Sequence, residues 1–219
     1  MLILAIETTG KLASAALLKG SQVCEAVNHT DYSHLQEIVP MIDRLLKENS
    51  IVPAQLDAIA VSRGPGSFTG VRIGMATAKG LAQVWNKPVI EVPTLASFAF
   101  GVYDWLPQGE RLLFCPLFDA RRNQVYSGVY EPLNGSAVIE DRAVDADEQM
   151  ADLKTFFTTC HYDRVVFFGD GIKPCLEKLE ALGIPYLLAL EEDRYQKASS
   201  AARLAARLYE AGDVKDCYT

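Results

Sequence analysis

The stretch Arg63-Gly64-Pro65-Gly66-Ser67-Phe68-Thr69-Gly70-Val71-Arg72-Ile73-Gly74 holds the densest concentration of chemically suggestive residues in the chain. Glycine tolerates positive φ, so closely spaced glycines with a proline can turn successive N–H groups into one concavity. A helix starting just beyond them adds unpaired N–H groups and the positive end of its dipole. That chemistry is anion binding. The candidate phosphate contacts are Gly64, Gly66, Ser67 and Gly70, with Thr8 and Thr9 from the segment Glu7-Thr8-Thr9-Gly10. No Gly-Lys-Ser/Thr follows the glycines, so the stretch is not a P-loop, and its spacing is not the dinucleotide fingerprint. A tight turn that lets strand and helix pack closely is the equal alternative.

Other residues offer less. Glu7 stands at a strand end, where a carboxylate suits a hard cation such as magnesium. Asp119 has a similar place in the second half, but Ala120-Arg121-Arg122 follows it where a phosphate loop needs glycine. Two arginines can meet phosphate, yet they also fill the space a nucleotide requires. Their simplest reading is a solvated or ion-paired surface. The histidines His29, His34 and His161 do not form a His-x-x-x-His pair, and zinc needs three or four converging ligands. Cys24, Cys115, Cys160, Cys175 and Cys217 show no Cys-x-x-Cys spacing and fit reduced structural thiols. No residue is therefore assigned a catalytic or metal-binding role. The enzymatic alternative is a nucleotide hydrolase or small-molecule kinase using Glu7, Thr8, Gly66 and Asp119, and a metallopeptidase is weaker still.

These residues need elements to position them. Leu2–Glu7, Ala13–Leu18 and Gln22–Val27 read as three strands in a meander, with Lys19-Gly20-Ser21 as a hairpin turn. Ser33 and Gln36 have capping-box spacing ahead of an amphipathic helix that runs to Asn49 and contains Pro40. Residues 57–62 read as a buried strand, then come the glycine turn, a helix to Trp85, a strand to Val92 and a short helix from Thr94. The second half repeats this plan: strands at 112–118, 124–130 and 136–140, a helix at 146–159, a strand at 164–168 and a helix at 174–182. A strand at 186–190 and a helix at 199–211 follow. In the helix after the glycine turn, Gly70, Gly74, Ala78 and Ala82 recur every four residues and put small groups on one face. With the broad apolar face of the first helix this stripe can form a docking surface, or the two helices simply pack on their own sheet.

Composition sets the frame. The chain has 219 residues, 49% of them hydrophobic, and a formal charge of −7. That describes a folded globular protein that does not grip nucleic acid with its whole surface. The amino terminus lacks the basic start and length of a signal peptide, and no apolar run reaches the ~20 residues of a membrane span, so a cytoplasmic location is expected.

Strands and helices in this order, written twice, resemble the actin-like ATPase (ASKHA) fold: α/β, with two lobes that each carry a mixed sheet flanked by helices. The expected lobes are 1–106 and 107–219. The glycine stretch, with Ala76-Thr77-Ala78-Lys79-Gly80, resembles the signature of the bacterial TsaB (YeaZ) family. Leu4-Ala5-Ile6-Glu7-Thr8-Thr9, Ser33-His34-Leu35 and Asp119-Ala120-Arg121-Arg122 with Val125-Tyr126 match it too.

The resemblance implies a non-catalytic scaffold in the biosynthesis of threonylcarbamoyladenosine beside the anticodon of certain tRNAs. It implies pairing with a catalytic TsaD-like subunit through the two amino-lobe helices, support from a TsaE-like ATPase, and tRNA contact only through the complex. The expected docking residues are Leu35, Ile38, Val39 and Ile42 on the first helix, and Gly74, Ala78, Leu81 and Ala82 on the second. A sticky surface of this kind would also form a homodimer when the chain is alone. No cofactor of its own is expected, and any nucleotide would lie at the partner interface. Where TsaD carries a metal-binding histidine pair, this chain has Thr94 and Phe98.

Overall fold

Strand β1 (Leu2–Glu7) is buried at every position, as the middle of a sheet covered on both faces must be. A computed structural model describes residues 1–28, 34–101, 109–131, 137–191 and 194–216, without the side chains of 34–36. The expected cap Ser33, the lobe boundary after Trp105, and His29 and Cys217 lie outside the described residues. β1 pairs antiparallel with β2 (Ala13–Lys19), which pairs antiparallel with β3 (Gln22–Asn28). On its other side β1 pairs parallel with β4 (Ala58–Ser62), and β4 with β5 (Val89–Val92). The order is β3-β2-β1-β4-β5.

Alternation along these strands divides the core between two faces. Leu4, Ile6, Ile59 and Val61 meet α1 (His34–Glu48) and α2 (Phe68–Trp85) through Ile38, Ile42, Leu45, Ala78 and Ala82. Ile3, Ala5, Ala58, Ala60 and Ile90 meet Ala198, Ala201, Ala202 and Ala205 of the last helix, α6 (Ala198–Glu210). Alanines along one side of α6 bring its backbone close to the sheet. The short helix α3 (Thr94–Gly101) packs beside α6, and the Arg207 guanidinium sits 4.5 Å from the Phe100 ring centroid.

The second unit repeats the first in topology. β6 (Leu112–Arg121), β7 (Gln124–Tyr130) and β8 (Ala137–Asp145) form the antiparallel trio. β9 (Arg164–Phe168) and β10 (Tyr186–Leu188) add parallel on the other side of β6. The order is β10-β9-β6-β7-β8. α4 (Ala146–Cys160) and α5 (Ile172–Ala181) bury Met150, Leu153, Phe157, Ile172, Cys175 and Leu179 against one face. The expected mixed sheets flanked by helices are thus present in both units.

Several expected bounds change. The strand expected to stop at residue 140 continues to Asp145, because β8 stays paired with β7 as far as Gln124 opposite Asp145. The compact units are 1–101 with 196–219, and 102–195, so the carboxyl-terminal lobe expected at 107–219 loses its last helix to the first unit. The physical reason is attachment. Ser14 Oγ accepts from Ala198 N at 2.8 Å, and the Glu25 carboxylate accepts from Ser199 N and Ser199 Oγ, each at 2.9 Å. A carboxylate on the first turn of α6 also complements the helix dipole.

Candidate functional site

The glycine turn joins the carboxyl end of β4 to α2, beside the β1–β2 hairpin. Ser67 caps α2, its Oγ accepting from Gly70 N at 3.2 Å. Ser67 N donates to Thr9 O at 2.7 Å, and Thr8 Oγ1 donates to Gly70 O at 2.7 Å. Thr9 N and Thr9 Oγ1 both donate to Glu7 Oε1 at 2.6 Å. Gly64 N donates to Thr94 Oγ1 at 3.1 Å, and Thr94 N donates to Gly64 O at 3.0 Å.

The six expected phosphate contacts, Thr8, Thr9, Gly64, Gly66, Ser67 and Gly70, are therefore brought together. Their donors are turned largely on one another. A Cβ on Gly70 would fall on the Thr8 carbonyl oxygen, and one on Gly66 on that of Thr9, so these positions hold two backbones in contact. The tight-packing alternative describes this geometry better than an open cradle does. Glu7 is fully buried and clasps its own hairpin. Thr94 and Phe98 are buried as well, Thr94 tying α3 to the turn. Among the described residues no group of three or more His, Cys, Asp or Glu side chains gathers as a metal site would.

Most of the expected docking residues are enclosed. Ile38 and Ile42 are 0% and 1% exposed, Ala78 and Ala82 are 0% exposed, and Gly74 is buried. These groups belong to the chain's own core. The small-residue stripe faces the sheet, with Gly74 against Thr8 and Val61, and does not await a second helix. Leu81 is half-buried and packs on the same core, while the Leu35 side chain lies outside the described residues. Among the described residues of the expected set Val39 alone is well exposed, at 47%. Two apolar side chains of α2 outside the expected set, Phe68 and Val84, are exposed at 69% and 79%. The Arg72 guanidinium lies 3.8 Å from the Phe68 ring centroid, so cation and ring form one outward-facing group.

In the second unit the β6–β7 turn is unusual. Arg121, Arg122 and Asn123 have φ of 66°, 51° and 63°, a left-handed run without glycine. Asp119 Oδ1 accepts from Arg121 N at 2.7 Å, and Asn123 Nδ2 donates to Asp145 at 2.9 Å and to Asp147 at 3.3 Å. Among the described residues the guanidinium groups of Arg121 and Arg122 form no ion pair, which fits solvated charges. Asp119 N donates to Asp170 Oδ1 at 3.0 Å. Burial, then the Asp119 charge beside it, hold the Asp170 carboxyl above its usual range. Lys178 Nζ, 2.5 Å from Asp147, holds that carboxyl below its usual range, helped by Asn123.

Deeper in the same unit, Gln149 Nε2 donates to Ser127 Oγ at 3.0 Å, and Ser127 Oγ lies 3.5 Å from Cys115 Sγ. Burial pushes the Cys115 thiol up to about 12, so it is an inert core group and no nucleophile. This chemistry is structural, and sequence spacing carries no signal for it.

Comparison with known proteins gives a consistent picture. Residues 28–205 match the family model described as TsaD: tRNA N6-adenosine threonylcarbamoyltransferase. The chain is 36% identical over 155 residues to the tRNA threonylcarbamoyladenosine biosynthesis protein TsaB of Bacillus subtilis, covering 69% of this chain and 64% of that protein. It thus spans less than two-thirds of that relative's length. Among solved structures, YeaZ from Pseudomonas aeruginosa superposes with a TM-score of 0.80 at 26% identity, covering 100% of this chain and 96% of that one. A ROK hexokinase from Thermus thermophilus superposes at 0.54 with 14% identity, over 97% of this chain and 100% of that one, a likeness of fold alone.

Proposed function

The chain belongs to the TsaB (YeaZ) family, within the group that the TsaD model describes, and from that premise we propose that it is a non-catalytic scaffold in tRNA threonylcarbamoylation. Its partner is a TsaD-like catalytic subunit, with a TsaE-like ATPase supporting turnover in the cytoplasm. The observation that carries the non-catalytic reading is the closure of the glycine turn. Ser67, Gly70, Thr8 and Thr9 bond to one another and to Glu7, where an enzyme of this fold would hold a phosphate. A nucleotide, if the complex uses one here, is held jointly with the partner, and tRNA reaches the chain through the complex.

The outward sides of α1 and α2 supply the docking surface, through Val39, Phe68 with Arg72, and Val84. Aromatic and arginine side chains are the ones that anchor interfaces. The same surface supports a homodimer when the chain is alone.

The test is reconstitution of tRNA threonylcarbamoylation from purified partners, with and without this chain, scoring modified adenosine. Dependence on the chain, lost in Val84→Arg together with binding to the TsaD-like subunit, is the expected result. Full modification without the chain overturns the reading and makes ATP hydrolysis by Glu7 and Asp119 the next assay.

A further inference from the structure

Strand β5 is an edge of the first sheet, and at Val89 its outer side is bonded to the chain's own carboxyl-terminal segment. Val89 N donates to Lys215 O at 2.9 Å and Lys215 N donates to Val89 O at 2.8 Å, an isolated antiparallel bridge. The Lys215 ammonium lies 3.4 Å from the Glu91 carboxylate, adding charge to the backbone pairing. The path to this contact is built into the end of α6. Asp213 N donates to Leu208 O at 2.9 Å and Gly212 N to Tyr209 O at 3.0 Å, while Gly212 has φ +79°, so the chain reverses there.

An uncovered edge strand offers its free N–H and C=O groups to another strand. We propose that residues 213–216 are a guard that closes the β5 edge against the β5 edge of a second copy of this chain. The bridge to Lys215 is antiparallel, so this edge accepts an antiparallel strand, and a two-fold axis between copies presents β5 in that orientation. Val89, Ile90 and Val92 make β5 a mostly apolar strand with one charge, and Lys215 sets its own charge on that one, Glu91.

Two variants of the full chain test this. Gly212→Val puts a β-branched residue at positive φ, and its Cβ meets nothing within 4 Å, so the turn alone is disturbed. Lys215→Pro removes the N–H that bonds Val89 O and so weakens the two-bond bridge that also holds Val89 N. The readouts are amide hydrogen exchange, residue by residue, and sedimentation across a concentration series. Exchange at Val89 should quicken about tenfold in both variants, with self-association beyond that of the wild type. Unchanged exchange at Val89 overturns the guard, as does faster exchange without added association. Loss of protection along the whole of α6 also overturns it, by making the segment an anchor for that helix.

Discussion

Thr8 Oγ1 donates to Gly70 O at 2.7 Å, and the space a side chain would need at position 70 is filled by the Thr8 carbonyl oxygen. Two backbones that leave the carboxyl ends of the neighbouring parallel strands β1 and β4 are thereby held in direct contact. Neither can retreat, because Thr9 is bonded to Ser67 and to Glu7 at the same place. Gly70→Ala should cost about 3 kcal/mol, near the top of the range for overpacking. Urea denaturation measures it. A loss below about 0.5 kcal/mol, the scale of ordinary surface substitutions, would mean that the seam opens easily and that the turn can admit a ligand.

Burial of Ala78 changes what its substitution reports. Ala78→Arg places an unpaired charge in a fully enclosed position, which should cost about 4 kcal/mol or more and unfold much of a marginally stable chain. Val84→Arg sits on the same helix at 79% exposure and should shift stability by less than about 0.5 kcal/mol. Thermal melts of the two variants check this. If Val84→Arg alone keeps its melting temperature while losing the TsaD-like partner, the outward side of α2 is the contact. A Val84→Arg variant that still binds moves the interface elsewhere.

Spacing made the small-residue stripe of α2 visible but not its destination. A four-residue repeat fixes that Gly70, Gly74, Ala78 and Ala82 share a side, and it is silent on whether that side meets a foreign helix or the chain's own strands. The elements themselves were legible because hydrophobic period is local, and the repeated strand and helix order revealed both sheets. The place of α6 was not. Its bonds to Ser14 and Glu25 span 184 and 174 residues of sequence, and no local pattern announces a contact of that range. The closure of the glycine turn was hidden for the same reason, since Thr8 and Gly70 stand 62 residues apart.

The thiols should separate by environment. Cys24 is exposed on β3, whereas Cys115 is fully enclosed with its thiol pushed up to about 12, and burial raises Cys175 as well. At neutral pH that leaves Cys115 with roughly a thousandfold less thiolate than an ordinary cysteine, besides barring reagent access. Alkylation followed by peptide mass spectrometry should mark Cys24 within minutes and Cys115 only after denaturant is added. Prompt labelling of Cys115 in the native protein would show that the core of the second unit opens readily.

Two carboxyls of the second unit should pull acid stability in opposite directions. Asp147 is held low, chiefly by its hydrogen bond from Lys178 and then by that from Asn123. The unfolded chain therefore binds more protons than the native one in acid. The contribution is complete above the ordinary carboxylate value of about 4 and is lost as pH falls through the lower native value. Asp170 is held high, by burial first and by the Asp119 charge among the lesser causes. Its penalty is complete at neutral pH and fades as pH falls through the raised native value toward about 4. Asp170→Asn keeps an oxygen to accept from Asp119 N and removes the charge, so it should melt higher than wild type at pH 7. That advantage should shrink on acidification. Lys178→Met should melt lower than wild type at pH 7, with a gap that closes only below about pH 4. Melting temperatures of the three proteins from pH 3 to pH 8 decide the matter, and an Asp170→Asn advantage that persists undiminished at low pH would remove the charge from the explanation.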